Sequence, residues 1–213
     1  MDPGEPQDPP LFEACKVLEK GGLVAFPTDT FYALGADPFN PLSVEKVFLA
    51  KGRDRSKPLL LLAADLEMVV QAVLEIPPST RELICHFWPG PLTLVMRASP
   101  RLPPLVTAGT SKVGIRVPQS PISLALLNKM ARPLTGTSAN SSEAKDAITA
   151  GAVWEDLRGR IDLILDGGPS PGVAPSTILD VTTYPPILLR EGTISREVIA
   201  AIVPVTIAGT KGT

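Results

Sequence analysis

Histidine, cysteine and aromatic residues are all scarce in this sequence. Its 213 residues include one histidine, His86, and two cysteines, Cys15 and Cys85. A single imidazole excludes metal sites built from several histidines and leaves one candidate for any histidine-based triad. The cysteines lack the spacing of a metal site, so we expect two buried, reduced thiols and a reducing compartment. Because aromatic residues make up only 5%, the core must consist mainly of aliphatic side chains.

The sequence also lacks a long apolar run and an excess of either charge. It contains no stretch of about 18 apolar residues, and the acidic, Pro-rich residues 1–10 do not resemble a signal peptide. We therefore expect a soluble, cytoplasmic protein with no membrane partner. Because the formal net charge is −2, a site for a nucleotide or nucleic acid must come from locally clustered cations.

Apolar residues make up 44% of the chain and fall into short runs that predict alternating helices and strands. Strands are predicted over 23–26, 59–62, 92–97, 113–117, 161–165, 177–181 and 187–189. Helices are predicted near 11–20, from Ser43, from Asp65, around His86 after a Ser79–Glu82 capping box, from Ser120–Pro121 and from Ser195. Some strands follow one another directly, so we predict an α/β fold with a mixed sheet and packed helices.

We predict three segments from the same pattern. Residues 1–10 form a disordered arm, residues 11–205 a single domain, and residues 206–213 a flexible tail. Many of the 24 prolines and 17 glycines follow apolar runs. Loops of fixed backbone geometry at strand ends are where small-molecule sites usually lie.

Hydroxyl groups and a carboxylate follow the first predicted strand, in Pro27-Thr28-Asp29-Thr30-Phe31-Tyr32. All can point into a cleft at the strand end. The alternative is an ordinary turn in which Asp and Thr side chains satisfy backbone groups.

The densest cluster of cations lies between a predicted helix and the next strand, over residues 51–58. It contains Lys51, Arg53, Arg55 and Lys57 with one acid, and Pro58 stiffens its exit. Lys and Arg alternating in a stiff loop suit a triphosphate, whereas a solvated helix end is the alternative.

Small polar residues at 136–142, Gly-Thr-Ser-Ala-Asn-Ser-Ser, form a second candidate for binding phosphate oxygens. The segment differs at Asn140 from a G-x-S-x-G nucleophile elbow around Ser138. A serine hydrolase using Ser138 and His86 is therefore one alternative, although we interpret His86 as a structural residue at a packed helix end. Another alternative is that the segment 136–142 only caps a following helix.

Arg116 lies within an apolar predicted strand, and Arg190 closes another. A buried arginine is costly unless it meets an anion, so both indicate a bound anion or a structural ion pair. Ser176 and Thr177 add hydroxyl groups at the start of a nearby strand.

Six segments together resemble the YrdC family of threonylcarbamoyl-AMP synthases, in the order found in that family. They are LVAFPTDTFYALGA, FLAKGRDRSKPLLL, WPGPLTLVM, VGIRVP, GTSAN and STILDV with ILLREG, across about residues 12–200. The pairing of K-x-R at Lys51 and Arg53 with S-x-N at Ser138 and Asn140 is the most specific feature of the resemblance. The chain resembles the short, single-domain form of the family.

The resemblance implies a YrdC-like α/β domain over 11–205 with a twisted mixed sheet and a cationic concave face. It implies the reaction of L-threonine, bicarbonate and ATP to give threonylcarbamoyl-AMP and pyrophosphate, with Mg²⁺ accompanying ATP. The product serves N6-threonylcarbamoyladenosine formation in tRNA through a downstream tRNA-modifying transferase complex. The resemblance also implies that double-stranded RNA or tRNA is a further partner, which the protein would contact directly.

The resemblance also assigns roles by position. The four signature residues Lys51, Arg53, Ser138 and Asn140 are assigned to catalysis. The threonine site is assigned to Thr30, Leu62, Arg116 and Ser176. The ATP site is assigned to Arg53, Lys57, Lys112, Gly136, Ser138, Asp146 and Arg190. Leu62 stands where many members have histidine, and Asp146 stands where serine often contacts ATP. No residue is assigned to a metal.

The reaction suits a site that is rich in Lys and Arg and poor in histidine. Its nucleophile is an anionic carbamate, so the protein must hold and orient polyanions rather than supply a strong base. Two further alternatives remain: an RNA-binding module without catalysis, and a relative that acts on another carbamoyl acceptor or a pentose phosphate.

Overall fold

The structure, a computed structural model, describes residues 9–208 as two mixed β-sheets covered by helices. The helices are α1 Pro9–Glu19, α2 Pro41–Lys51, α3 Leu66–Ala72, α4 Arg81–Phe87, α5 Pro104–Thr107, α6 Pro121–Met130, α7 Ala150–Leu157 and α8 Arg196–Ala200. The strands are β1 Val24–Pro27, β2 Tyr32–Gly35, β3 Leu60–Leu62, β4 Leu92–Arg97, β5 Lys112–Arg116, β6 Leu134–Thr135, β7 Thr137–Ser138, β8 Leu163–Ile164, β9 Thr177–Asp180, β10 Ile187–Arg190 and β11 Thr206–Ile207.

The two sheets have four and seven strands, in the orders β7-β2-β1-β8 and β11-β10-β9-β4-β5-β3-β6. The small sheet is built on the antiparallel β1–β2 hairpin, and β8 is parallel to β1. In the large sheet, β4 pairs parallel with β9 and antiparallel with β5. The predicted α/β architecture with mixed pairing is therefore confirmed, but as two sheets rather than one.

The core is aliphatic, as the scarcity of aromatic residues predicts. Phe26 and Tyr32 are the bulkiest side chains that are fully buried, and leucine, valine and alanine fill most of the remaining volume. Cys15 is buried as predicted, whereas Cys85 is an exposed thiol. The prediction for Cys85 is wrong because its face of α4 points to solvent. No helix within residues 9–208 is long and apolar enough to cross a membrane.

Helix α2 begins at Asn40 rather than at Ser43. The Asn40 side chain accepts hydrogen bonds from the amides of Leu42 and Ser43, and Pro41 occupies the first turn. Asparagine followed by proline is a stronger start signal than serine two residues further on. Ser43 is instead fully buried inside the helix.

The predicted capping box at Ser79 and Glu82 is wrong. Ser79 lies in a single 3₁₀ turn, Pro78–Thr80, and α4 follows at Arg81 without a side-chain cap. Consecutive prolines at 77 and 78 fix the turn before the helix begins. The predicted caps at Asp65, Ser120 and Ser195 are confirmed, since each side chain accepts a hydrogen bond from a first-turn amide.

The predicted arm and tail fall only in part within the described residues. Pro9 and Pro10 open α1, and Thr206 and Ile207 form β11, which pairs with β10. Residues 1–8 and 209–213 lie outside the described residues.

Candidate active site

Eight of the predicted site residues line one cavity of about 240 Å³ at the junction of the two sheets. These eight are Thr30, Arg53, Arg116, Gly136, Ser138, Asp146, Ser176 and Arg190. The other wall residues are Thr28, Phe31, Tyr32, Ala33, Pro58, Leu60, Thr137, Pro175 and Ile178. Six strands, β2, β3, β5, β7, β9 and β10, and the loops between them therefore converge on this point.

The chain passes from one sheet to the other at Gly136. β6 pairs with β3 in the large sheet, and β7 pairs with β2 in the small sheet. The Gly136 amide donates to the Leu60 carbonyl at 2.7 Å. A Cβ at this position would lie 2.5 Å from Leu62 Cγ, so only glycine permits the close approach of the two strands.

The turn of the β1–β2 hairpin forms one wall with Arg116, which closes β5. The Nη1 atom of Arg116 donates to both carboxylate oxygens of Asp29, at 3.1 and 3.0 Å. Its Nη2 atom donates to the hydroxyls of Thr28 and Thr30, both at 3.3 Å. Arg116 is only 4% exposed, and its Nε atom has no hydrogen-bond partner among the described residues. We call Thr28, Asp29, Thr30 and Arg116 the hairpin wall.

Ser176 and Arg190 form a connected pair on the facing side. Arg190 donates to the Ser176 carbonyl from Nε at 3.1 Å and from Nη2 at 2.8 Å. The Ser176 hydroxyl lies 2.9 Å from the hydroxyl of Thr93, a fully buried residue of β4. The guanidinium group of Arg190 is thus fixed to the backbone just before β9, and the residue remains exposed at the cavity.

Arg53 is held at the cavity by the loop that follows it. Its Nε atom donates to the Lys57 carbonyl at 3.3 Å, and Nη2 donates to the Pro58 carbonyl at 2.8 Å. Burial lowers the pKa of Arg53, and it does the same for Arg116 and Arg190. Each guanidinium is a partly desolvated cation, which gains stability from a neighbouring anion.

Lys51 lies behind the cavity wall rather than on it. It is 2% exposed, and its ammonium donates to the carbonyls of Ser138 and Asn140 at 2.5 Å and to Asn140 Oδ1 at 3.2 Å. All three ammonium protons therefore have acceptors. Burial, and then the charge of Arg53, lower the pKa of Lys51 to about 8. Lys51 fixes the 138–140 segment and leaves direct ligand contact to other residues.

Five predicted site residues do not line the cavity: Lys51, Lys57, Leu62, Lys112 and Asn140. Leu62 is fully buried beneath Gly136, so the strand presents Leu60 to the cavity instead. Lys112 is engaged with Asp180 at 2.8 Å. Lys57 contributes its backbone carbonyl to Arg53, and Asn140 binds Lys51.

Tyr32 lines the cavity, and its hydroxyl donates to the Gly168 carbonyl at 2.8 Å. Burial raises the pKa of this hydroxyl, so it stays protonated. Sequence reasoning placed Tyr32 in the hydroxyl-rich segment 27–32 but did not assign it to the site. A signal for it was present, since two apolar runs separated by the four residues 28–31 are typical of a hairpin. A hairpin reading would have placed Tyr32 beside the turn.

The serine hydrolase alternative lacks its catalytic pair. His86 is exposed on α4, its Nδ1 atom lies 2.8 Å from the Glu82 carbonyl, and it is absent from the cavity that Ser138 lines. Within residues 9–208, no cluster of three or more His, Cys, Asp or Glu residues could hold a metal ion.

Comparison with known proteins identifies relatives of this chain. The Sua5–YciO–YrdC family model, described as telomere recombination, matches residues 16–192. The threonylcarbamoyl-AMP synthase of Pyrococcus abyssi is 39% identical over 89% of this chain and 56% of its own length. That of Vibrio vulnificus is 36% identical over 85% of this chain and 98% of its own length.

A solved structure shows the same fold. The crystal structure of P. abyssi Sua5 complexed with L-threonine superposes with a TM-score of 0.90 at 37% identity, covering 95% of this chain and 61% of that protein. The chain therefore spans little more than half the length of the P. abyssi relative. Because the family model covers most of the chain and identity exceeds a third over nearly all of it, this chain belongs to the Sua5–YciO–YrdC family.

Proposed function

We propose that this protein makes threonylcarbamoyl-AMP and pyrophosphate from L-threonine, bicarbonate and ATP. The observation that carries the proposal is that one cavity is lined both by three guanidinium groups and by a turn rich in hydroxyls. A triphosphate needs the cations, and a hydroxy-amino acid needs the hydroxyls. The relatives named threonylcarbamoyl-AMP synthase and the relative bound to L-threonine support the same assignment.

The chemistry requires little acid–base assistance from the protein. The threonine amine combines with CO₂ from bicarbonate and loses a proton, which gives a carbamate. A carbamate oxygen then bonds to the α-phosphorus while the bond to the bridging oxygen breaks, and pyrophosphate leaves with that electron pair. The protein must align the two anions and neutralise the developing charge.

Each wall of the cavity has a part in this proposal. Arg53 and Arg190 bind phosphate oxygens, and Ser138 adds a hydroxyl at the same side. Thr30 and Ser176 bind the threonine hydroxyl. The Arg116 Nη1 atom is already paired with Asp29 and its Nε atom is buried, so Arg116 acts on the substrate carboxylate through its charge. A cavity of about 240 Å³ encloses the amino acid and the phosphates, and the nucleoside extends past its mouth.

Mg²⁺ fits this site only as a companion of the nucleotide. Among the described residues that line the cavity, Asp146 is the one carboxylate, because Asp29 is paired with Arg116 and does not line it; the protein therefore offers no cage of its own. Mg²⁺ typically binds one or two carboxylates together with substrate phosphates and water. When bound, it neutralises charge on the phosphates that leave.

The proposal extends to partners and location. The product is a reactive mixed anhydride, and the partner that consumes it is a transferase complex acting on tRNA. ATP, threonine and tRNA are available together in the cytoplasm, where we place the protein. Direct RNA contact would use the guanidinium groups that line the cavity.

A pyrophosphate-release assay tests the proposed reaction. The purified protein with ATP, Mg²⁺ and bicarbonate should release pyrophosphate only when L-threonine is added. Release that does not depend on threonine, or no release together with salt-sensitive RNA binding, would favour the RNA-binding module instead. Release with another amine in place of threonine would indicate a different carbamoyl acceptor.

A further inference from the structure

Asp146 is the exception in an otherwise cationic cavity. Its side chain is exposed and lines the wall beside Arg190 and Ser138. Within the described part of the chain it has no ion pair and no side-chain hydrogen bond, whereas Asp29, Asp156 and Asp180 all have such partners. An unpartnered carboxylate among cations is not explained by binding a polyanion, because it repels phosphate.

The loop that carries Asp146 is fixed on both sides of it. The Asn140 side-chain amide donates to the Ala144 carbonyl at 2.7 Å, and the Tyr32 amide donates to the Ala147 carbonyl at 2.9 Å. The buried ammonium of Lys51 holds Asn140 in turn. A carboxylate on a loop anchored in this way has a defined position facing the ligand.

The neighbours of Asp146 place it on what we call the phosphate side of the cavity, which Arg53, Ser138 and Arg190 form. Asp146 lines the cavity together with these three residues, which we assign to the triphosphate. Burial lowers the pKa of Arg190, and the charge of Asp146 offsets part of that lowering. A carboxylate that binds ribose hydroxyls has no need of several cations around it. A carboxylate that ligates a metal–phosphate complex belongs beside the cations that bind the same phosphates.

We propose that Asp146 is the protein ligand for the divalent cation that enters with the triphosphate. The carboxylate supplies one oxygen, directly or through a bound water, and phosphate oxygens and waters supply the others. This inference rests on the proposed use of ATP. It makes the site selective for the metal complex of the nucleotide over the metal-free form.

Nucleotide binding with and without metal tests the assignment. Titration calorimetry would use α,β-methylene-ATP, which cannot lose pyrophosphate, in excess Mg²⁺ or in EDTA. We expect Asp146→Asn to weaken binding of the Mg²⁺ complex about five- to tenfold, because a charged metal ligand is lost. Binding in EDTA should tighten about two- to threefold, because the repulsion between carboxylate and phosphate is removed.

The matched control is Glu143→Gln, which changes an exposed carboxylate three residues away that does not line the cavity. It should leave both affinities unchanged. Equal weakening in Mg²⁺ and EDTA for Asp146→Asn would overturn the metal assignment. If that weakening also disappears with the 2′-deoxy analogue, Asp146 binds ribose. No change in either condition would show that Asp146 does not contact the nucleotide or its metal. Failure of the wild type to bind the analogue at all would instead overturn the proposed use of ATP.

Discussion

The two sides of the cavity differ in how completely their polar groups are paired within the protein. In the hairpin wall, Arg116 bonds to Asp29 and to the hydroxyls of Thr28 and Thr30, so the wall is one connected network in which, among the described residues, only the Arg116 Nε atom is left unpaired. On the phosphate side, Arg53 and Arg190 bond only to backbone carbonyls and one hydroxyl, and Asp146 has no such bond.

This difference separates two kinds of recognition. A network that is largely paired before the ligand arrives has a fixed shape and can discriminate between similar small molecules. Cations with unused donors bind a polyanion strongly but recognise mainly its charge and geometry. We therefore expect substitutions in the hairpin wall to affect stability and amino-acid selectivity, and substitutions on the phosphate side to affect nucleotide use.

The largest expected effect comes from opening the hairpin network. Asp29→Asn leaves the buried Arg116 guanidinium without its counter-charge, and removing one partner of a buried pair typically costs about 3–5 kcal/mol. The free energy of unfolding, measured by urea denaturation, should fall by an amount in this range. Glu45→Gln, which breaks the exposed pair with Arg55, should cost less than about 1 kcal/mol. Similar losses in both variants would show that the hairpin pair has no special structural role.

The second prediction concerns the phosphate side. Arg53→Ala should lower kcat/KM for ATP by about 2–4 kcal/mol of transition-state stabilisation, because a preorganised cation is lost. Its unfolding free energy should change little, since the side chain bonds only to two loop carbonyls. Arg55→Ala, in the same loop but outside the cavity, is the control and should keep its activity. Equal loss of activity in both variants would mean that the loop acts through its net charge alone.

The sequence predicted the phosphate side better than the hairpin wall, and the reason is physical. A cation cluster such as residues 51–58 is visible in one stretch of chain. The partner that Arg116 uses, Asp29, lies 87 residues away and meets it only when two sheets pack together. Sequence reasoning therefore left a bound anion and a structural ion pair open for Arg116, whereas the structure shows that both of its Nη atoms are used inside the protein.

Within the cation cluster, the sequence could not distinguish Lys51 from Arg53. The two residues are separated by one glycine, but Lys51 closes a helix and turns inward while Arg53 follows the left-handed Gly52 and turns toward the cavity. The sequence predicted the ends of the longer strands β4, β5 and β9 to within about one residue of their bounds in the structure. The two-residue strands β6 and β7, which form the junction, carry too little periodicity to be recognised.

Amino-acid selectivity tests the hairpin wall directly. Threonine and serine share a hydroxyl and differ by a methyl group, so pyrophosphate release at equal concentrations should favour threonine by about 10–200-fold. Valine keeps the shape but leaves the hydroxyls of Thr30 and Ser176 unpaired, so it should rank far behind serine. Thr30→Val should narrow the gap between threonine and valine, whereas Thr206→Val, at the far sheet edge, should not. A wild type that prefers valine to serine would show that shape, not the hydroxyl, is recognised.

The smallest expected effect is a pH dependence that arises behind the phosphate side. As pH rises through about 8, Lys51 loses a proton, and the neutral amine has two donors for three acceptors in the 138–140 segment. Affinity for α,β-methylene-ATP should therefore fall by up to about tenfold between pH 7 and 10. Ligand binding is the suitable measurement, because the threonine amine titrates in the same range. Stability should change in the opposite direction. The pKa of Lys51 in the folded state, about 8, lies below its usual value of 10.5, so between these two pH values the unfolded chain holds more protons than the folded one. This residue therefore makes unfolding less favourable as pH rises. Lys51→Met should bind α,β-methylene-ATP weakly at all pH values and should show no further loss of affinity above about pH 8. A wild-type affinity that stays constant to pH 10 would mean that the Lys51 proton is not needed to hold the segment.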